Sequence, residues 1–167
     1  MTEASAYDQF ESHARDYGVA LTRVPAADAT ETIAAIVESP SVGAPLPWDD
    51  VTLPDDVTTD PTPAELDAAV TGVTAASLAV ADYGSLFLRA TPEGTEPASL
   101  FPDLHVAVLR AADIVPDMSA AFEWFGEQAR ASRDSGILAT GPSATADMGE
   151  LVKGAHGPKA VEVVVVE

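Results

Sequence analysis

Val161-Glu162-Val163-Val164-Val165-Val166 is a short run that is apolar almost throughout, and residues 105–109 form a second run of the same kind. Strands buried on both faces of a parallel sheet have this pattern, whereas half-exposed strands alternate apolar and polar residues. Other strand-like segments, several of them separated by helical patterns, lie at 19–24, 69–74, 84–90 and 136–140. This order predicts an α/β fold, a three-layer α/β/α sandwich with a mostly parallel sheet.

Apolar spacing predicts helices at 7–17, 28–38, 75–81, 118–131 and 144–153. Asp28 is the expected N-cap of the second helix, because Glu31 follows three residues later as in a capping box. Residues 39–63 hold six prolines and a run of acids, which predicts an irregular surface segment with one short strand. We find no repeat and no second domain, so residues 1–167 are predicted to form a single domain.

The charge of the chain is strongly unbalanced, with 27 acidic residues against 8 basic ones and a formal net charge of −19. Because 47% of the residues are hydrophobic, the acidity does not indicate disorder. Nucleic acids and anionic lipids bind clusters of Lys and Arg, so neither is an expected partner. The composition favours a halophilic source, since a Debye length of roughly 3 Å at molar salt screens the repulsion between acids.

Several classes of protein are excluded by what the sequence lacks. The chain has no cysteine, so it forms no disulfide and supplies no cysteine ligand to an iron–sulfur cluster. The first residues lack the basic and apolar regions of a signal peptide, and Asp82 interrupts the most apolar region, 70–88. We therefore expect a cytoplasmic protein with no membrane span.

The first candidate site is the segment Gly141-Pro142-Ser143-Ala144-Thr145-Ala146-Asp147, which follows a predicted strand and begins a predicted helix. Free N–H groups and the helix dipole at such a start bind anions, and the hydroxyls of Ser143 and Thr145 add donors. Ordinary helix capping is the alternative interpretation. The segment lacks the spaced glycines and the lysine of a phosphate-binding P-loop.

The second candidate site holds both lysines of the chain, Lys153 and Lys159, on either side of His156. This local positive charge favours binding of a carboxylate or a phosphate. The alternative is a helix end, at which Gly154 or Gly157 forms the C-cap and the lysines interact with the helix dipole.

The third candidate site is the turn Asp82-Tyr83-Gly84-Ser85 together with His105, which begins a predicted strand. We expect this turn, His105 and the 143–147 segment to gather at one edge of the sheet, since crevices form at the carboxyl ends of strands. A structural turn and a hydrogen-bonded core histidine are the alternatives. The spacing of His13, His105 and His156 does not predict a metal site, and no nucleophile-elbow sequence supports a serine triad.

The motifs 141–147 and His156-Gly157-Pro158, read with 79–86 and 100–106, resemble the LUD-domain family of lactate utilization proteins, in its protein C branch. The likeness extends from about Ala69 to Glu167 and implies a fold like that of CoA-transferases and ribose-phosphate isomerase. The chain departs from the family pattern at Ala144, where arginine is usual, and at Tyr83, where threonine is usual. The ligand-binding residues that the motifs and the resemblance imply are Asp82, Gly84, His105, Gly141, Ser143, Thr145, Asp147, Lys153, His156 and Gly157.

The resemblance implies an accessory subunit in the oxidation of L-lactate to pyruvate, which binds a small organic anion or an iron–sulfur partner protein. Because the chain has no cysteine, it is expected to carry no cofactor, and the iron–sulfur clusters are expected on partner subunits. Two alternatives stay open. One is an independent enzyme that binds CoA or a sugar phosphate on the same fold, and the other is a non-catalytic interaction or regulatory module.

Overall fold

A computed structural model describes residues 5–133 and 135–167 of the chain. The helices in these residues are α1 (Ala6–Asp16), α2 (Ala26–Ile36), α3 (Pro63–Ala68), α4 (Thr95–Leu100) and α5 (Met118–Ser132). The strands are β1 (Ala20–Val24), β2 (Ser41–Gly43), β3 (Thr58–Thr59), β4 (Thr71–Ala76), β5 (Leu78–Val80), β6 (Ser85–Arg89), β7 (Leu104–Arg110), β8 (Ile114–Val115), β9 (Gly136–Ala139), β10 (Ala144–Asp147), β11 (Glu150–Lys153) and β12 (Ala160–Val166).

The central sheet has six strands in the order β1-β12-β7-β4-β2-β3, and every neighbouring pair is parallel. The two apolar runs are β7 and β12, which lie side by side with Val163 opposite Ala107. The predicted α/β fold with a mostly parallel central sheet is therefore confirmed.

The apolar runs have side chains on two buried faces of this sheet, because successive residues of a strand point in opposite directions. One face packs against α2 in an aliphatic cluster that includes Ala29, Ile33, Val73, Val106, Val108 and Val164. The opposite face packs against α1 and a second sheet in a cluster that includes Phe10, Ala14, Ala107, Leu109, Val163 and Val165. We call these the α2 face and the α1 face.

The second sheet, in the order β8-β5-β6-β9, lies between the α1 face and α5. It occupies part of the segment in which a helix was predicted at 75–81, and that prediction is wrong. Ala76 ends β4, and Ala79 pairs with Leu86 of β6 in an antiparallel ladder. A short apolar run does not distinguish a helix from a strand, and here the pairing and full burial of these alanines override their helix propensity.

The helix predicted at 144–153 is also wrong, since β10 and β11 form an antiparallel hairpin there. Asp147 is opposite Glu150, and the two residues between them, Met148 and Gly149, have φ angles of +49° and +84°. Two positive φ values are the signature of a tight hairpin turn whose twist matches that of the flanking strands. The apolar residues of this hairpin are exposed, with 98% of Met148 and 69% of Leu151 accessible to solvent.

Helices α1, α2 and α5 agree with the prediction to within two residues at each end, whereas α3 and α4 were not predicted. Ser5 caps α1 by accepting a hydrogen bond from the N–H of Asp8, and Asp117 caps α5 in the same way. Asp28 is not a cap, because α2 begins at Ala26 and Asp28 lies in its first turn. Of the described helices, even α5 with its 15 residues is too short and too polar to span a bilayer.

The predicted irregular segment contains two short strands, β2 and β3, instead of one. Beyond β2, the chain crosses the carboxyl end of β7, where Arg110 forms an ion pair with Asp50. The guanidinium of Arg110 also lies 5.0 Å from the centre of the Trp48 ring. These contacts fasten the segment to the carboxyl edge of the central sheet.

Candidate functional site

A cavity of about 220 Å³ lies between the α1 face of the central sheet and the second sheet. Its wall includes Ser99 and Leu100 from α4 and its end, and Val161 from β12. Six of the ten residues predicted to bind a ligand also line it, namely Gly84, His105, Gly141, Ser143, His156 and Gly157.

The cavity lies toward the amino edge of the central sheet. His105 and Val161 are the second residues of β7 and β12, and they are direct neighbours in the parallel register. We expected the predicted site residues at a crevice at the carboxyl ends. The crevice at that edge of the central sheet, of about 460 Å³ and lined in part by Pro45 and Ala75, contains none of them. The Gly141-Pro142-Ser143 loop does follow the carboxyl end of a strand, β9, but β9 belongs to the second sheet, which covers the amino half of the first.

The two glycine motifs are held together by backbone hydrogen bonds. The N–H of Ser143 donates to the carbonyl of Pro158 over 2.8 Å, and the N–H of Gly154 donates to the carbonyl of Ser143 over 3.0 Å. A Cβ at Gly157 would lie 3.1 Å from the Cβ of Ser143, so glycine allows the two loops to approach closely. The N–H groups of Gly141 and Gly157 and the Ser143 hydroxyl form no hydrogen bond with any other described residue.

The turn at 82–85 packs on α1. Gly84 has a φ of +63°, and a Cβ there would lie 2.5 Å from the backbone N of Ala14. On the same side, Nδ1 of His13 lies 2.8 Å from the carbonyl of Ala81. Gly84 therefore lets α1 approach the second sheet, which closes one end of the cavity.

His105 is the most deeply buried titratable residue on the cavity wall, with 2% of its surface exposed. Its Nε2 shares a hydrogen bond of 2.8 Å with Oγ1 of Thr74, on the neighbouring strand. Its Nδ1 has no hydrogen-bond partner among the described residues. Burial lowers the pKa of His105 from 6.5 to about 4, so the imidazole is neutral at neutral pH.

The LUD-domain family model matches residues 51–166, which is more than half of the chain. The chain belongs to the LUD-domain family. It is 34% identical to lactate utilization protein C of Deinococcus radiodurans, over 99% of this chain and 82% of that protein. A crystal structure of a DUF162 family protein from D. radiodurans has the same fold, with a TM-score of 0.76 at 29% identity, and covers 100% of this chain and 99% of that one.

The other residues predicted to form the site in this LUD domain lie outside the cavity wall. Asp82 is exposed in its turn, and Thr145 and Lys153 belong to the hairpin, where Lys153 is exposed. Asp147 closes the hairpin ladder with Glu150, and its side chain lies outside the described part of the structure. Because residues 144–153 form no helix, the predicted anion site at a helix N-terminus is wrong.

The two lysines of the second candidate site, Lys153 and Lys159, do not form one binding site in the structure. Lys159 forms an ion pair of 2.8 Å with Asp103, next to the start of β7, and Lys153 is on the outer part of the hairpin. Neither lysine lines the cavity. In the described residues, no three His, Cys, Asp or Glu side chains come together as a metal site.

Sequence reasoning missed Thr74, Ser99 and Thr140. Thr140 lines the cavity and shares a hydrogen bond of 2.7 Å with Ser85, which ties the Gly-Pro-Ser loop to the turn at Gly84. Thr74 carried a signal, since it is a hydroxyl residue inside a buried strand. Its partner could not be identified before the parallel register of β4 and β7 was known.

Proposed function

We propose that this chain is a subunit of a lactate-utilization system and that its cavity binds a small 2-hydroxy or 2-oxo acid, such as lactate or pyruvate. The observation that carries the proposal is the convergence of both glycine motifs and His105 on one cavity in a chain related to lactate utilization protein C. The name of the relative suggests the class of ligand, and the cavity is where we propose that the ligand binds.

The size of the cavity supports a small ligand. Its volume of about 220 Å³ is equivalent to roughly seven water molecules at about 30 Å³ each, which accommodates a three-carbon acid. Pockets for drug-sized molecules are larger, roughly 300–1,000 Å³. Coenzyme A does not fit inside this cavity, but crevices of about 460 and 570 Å³ lie elsewhere on the chain, so the alternative of an enzyme that binds CoA or a sugar phosphate stays open.

A carboxylate in this cavity would be bound by neutral donors. No Lys or Arg lines the described cavity wall, but the Ser143 hydroxyl and the N–H groups of Gly141 and Gly157 lack partners. His156 is exposed at the rim and adds a further donor. Without a guanidinium, and in a chain of net charge −19, we expect modest affinity, with a Kd on the order of 1 mM, about −4 kcal/mol.

The partner is proposed to be an iron–sulfur subunit, because lactate oxidation needs an electron acceptor and this chain has no cysteine to hold a cluster. The β10–β11 hairpin is the surface we propose for it. Residues 140–159 hold two acids and two lysines and carry no formal net charge, in a chain whose total is −19. Low charge combined with exposed Met148 and Leu151 is typical of the centre of a protein interface.

Calorimetric titration in high-salt buffer tests the cavity. L-Lactate and pyruvate should give heat and coenzyme A should not. Ser143→Ala should weaken binding of the acids about fivefold, because one hydrogen bond is lost. Thr145→Ala removes a hydroxyl outside the cavity and should change nothing. If neither acid binds, or if Ser143→Ala binds both unchanged, this assignment of the cavity is wrong.

Co-expression with iron–sulfur lactate-oxidation subunits tests the hairpin. Leu151→Asp should abolish co-elution on size exclusion, because it places a charge in an apolar contact. The matched control is Phe122→Asp on α5, which is as exposed as Leu151 and lies on another surface. Equal loss in both variants, or in neither, would count against the hairpin as the interface.

A further inference from the structure

We propose that His105 and Thr74 form a reversible hydrogen-bond pair that accepts either a hydroxyl or a carbonyl oxygen at C2 of the ligand, so that a 2-hydroxy acid and its 2-oxo counterpart bind in one pose. This inference rests on the proposed function of the cavity.

The unpaired nitrogen of His105 is the first observation. Buried polar atoms in proteins nearly always have a hydrogen-bond partner, and leaving one without a partner is destabilising. His105 is 2% exposed and lines the cavity, yet its Nδ1 contacts no donor or acceptor of the described residues. A ligand atom in the cavity would supply the missing partner.

The second observation is that the other ring nitrogen of His105, Nε2, is hydrogen-bonded to Thr74. Oγ1 of Thr74 lies 2.8 Å from Nε2, and this hydroxyl has no other hydrogen bond among the described residues. A threonine hydroxyl can donate or accept, and a neutral imidazole has one donor nitrogen and one acceptor nitrogen. Two arrangements of the pair are therefore available.

In the first arrangement, Nε2–H donates to Thr74 and Nδ1 accepts a hydrogen bond from a ligand hydroxyl. In the second, the Thr74 hydroxyl donates to Nε2 and Nδ1–H donates to a ligand carbonyl. Between the two, the imidazole proton moves from Nε2 to Nδ1 and the threonine hydroxyl rotates. The pair gains and loses no proton, so its charge stays zero.

The surroundings of His105 keep both arrangements accessible. In the sheet register His105 lies between Val161 of β12 and Gly72 of β4, neither of which has a polar side chain. Over Gly72, the carbonyl of Ala98 would lie 1.8 Å from an added Cβ, so α4 packs directly on the strand backbone there. A protonated imidazole or a lysine at this position would offer donors alone and would favour the carbonyl.

Nitrogen-15 NMR of the imidazole rings measures the tautomer directly. The chain has three histidines, and His105→Gln identifies the signals of His105. Pyruvate, whose carbonyl only accepts, should drive His105 to the tautomer protonated at Nδ1. L-Lactate, whose hydroxyl can also donate, should give a larger population of the tautomer protonated at Nε2 than pyruvate does. Both acids are expected to bind with affinities within about tenfold of each other, since each completes one hydrogen bond.

Thr74 variants separate this pair from a general effect on packing. Thr74→Ser keeps the hydroxyl and should retain both affinities within about twofold. Thr74→Val keeps the shape but removes the partner of Nε2 in both tautomers. A buried N–H without an acceptor is more costly than a buried nitrogen without a donor, so the tautomer protonated at Nε2 should lose more and the ratio of lactate to pyruvate affinity should fall by about fivefold. Thr71→Val removes another buried hydroxyl of β4, outside the cavity wall, and should leave the ratio unchanged. Circular dichroism checks that each variant folds.

The possible outcomes distinguish this inference from the proposed function. If both acids bind but give the same tautomer, or if Thr74→Val leaves the affinity ratio unchanged, the reversible pair is wrong and the small-acid cavity stands. If neither acid binds to the wild-type chain, the proposed function fails and this inference fails with it.

Discussion

The two faces of the central sheet use the same strands in different ways. On the α2 face, β4, β7 and β12 contribute Val73, Val106 and Val164, which are fully buried in an aliphatic cluster. On the α1 face, the same strands contribute His105 and Val161, which line the cavity, and Thr74, which hydrogen-bonds to His105.

The difference shows how a cavity with polar groups is built into an apolar sheet. Close packing of branched aliphatic side chains leaves little empty volume on the α2 face. On the α1 face, α4 packs directly on the backbone of Gly72, and His105 and Thr74 hydrogen-bond with each other, so the same strands supply polar atoms beside a cavity. The packed face provides stability, and the α1 face carries the cavity of the candidate site.

The largest expected effect comes from Gly84, which holds the α1 face together. Gly84→Ala should lower the free energy of unfolding by about 3 to 4 kcal/mol, because it combines a left-handed backbone with a clash against α1. Gly18→Ala is the matched control, since its φ is also positive, +79°, and nothing lies within 4 Å of the added Cβ. It should lose about 1 kcal/mol in chemical denaturation. Equal losses would mean that the close approach of α1 is not important.

The second effect is a pH dependence that originates on the α1 face. Burial lowers the pKa of His105 to about 4, whereas the pKa of the same histidine in the unfolded chain is near 6.5. Below pH 6.5 the unfolded state takes up a proton that the folded state does not. The contribution of neutral His105 to the free energy of unfolding is therefore complete above pH 6.5. It is lost as the pH falls toward 4, by about 3 kcal/mol in total.

Denaturant unfolding of wild type and His105→Gln between pH 7 and pH 4 measures this difference. The variant should lose less stability over that range, and exposed His156→Gln should behave like wild type. Parallel pH profiles for wild type and His105→Gln would show that the histidine is not held neutral by burial.

The third effect compares one substitution on the two faces of β12. Val164→Ala removes two methyl groups from the packed α2 face and should lower the free energy of unfolding by about 2 kcal/mol. Val161→Ala should lower the free energy of unfolding by only about 1 kcal/mol, because Val161 borders the cavity and has fewer packed atoms around it to lose. Thermal or denaturant unfolding measures both, and a larger loss at Val161 would reverse the proposed contrast between the faces.

The smallest effect concerns the acidic surface, which is separate from both faces of the sheet. Raising KCl from dilute buffer to about 2 M should raise the melting temperature by about 3 °C, equivalent to about 1 kcal/mol, because salt screens repulsion in a chain of net charge −19. Sodium sulfate at equal ionic strength controls for general salt effects on apolar burial. A constant or falling midpoint would remove the inference of adaptation to high salt.

The central sheet was predictable from sequence because its strands are buried on both faces. Such strands have continuous apolar runs, and β7 and β12 are the two that the sequence shows most clearly. The alanine-rich segment that forms β5 was not predictable, since alanine favours helices and the pairing with β6 depends on residues distant in sequence.

The sequence predicted several residues of the candidate site, but it did not predict the secondary structure that positions them. Glycine motifs and histidines indicated Gly141, His156 and His105 before their positions were known, and all three line the cavity. The helix expected after Ser143 is a hairpin because Met148 and Gly149 form a tight turn, and methionine is not a usual residue at a positive φ. The contact of Thr74 with His105 depends on the register between β4 and β7, which no local sequence pattern reveals.

The position of the cavity at the amino edge has a consequence for how such a chain can change during evolution. At the opposite edge, Arg110 at the end of β7 contacts Trp48 and Asp50 of the segment that follows β2. Insertions and deletions in that segment alter neither the cavity wall nor the loops that form it. Two relatives can therefore differ greatly in loop length and surface at the carboxyl edge and still keep the same cavity wall.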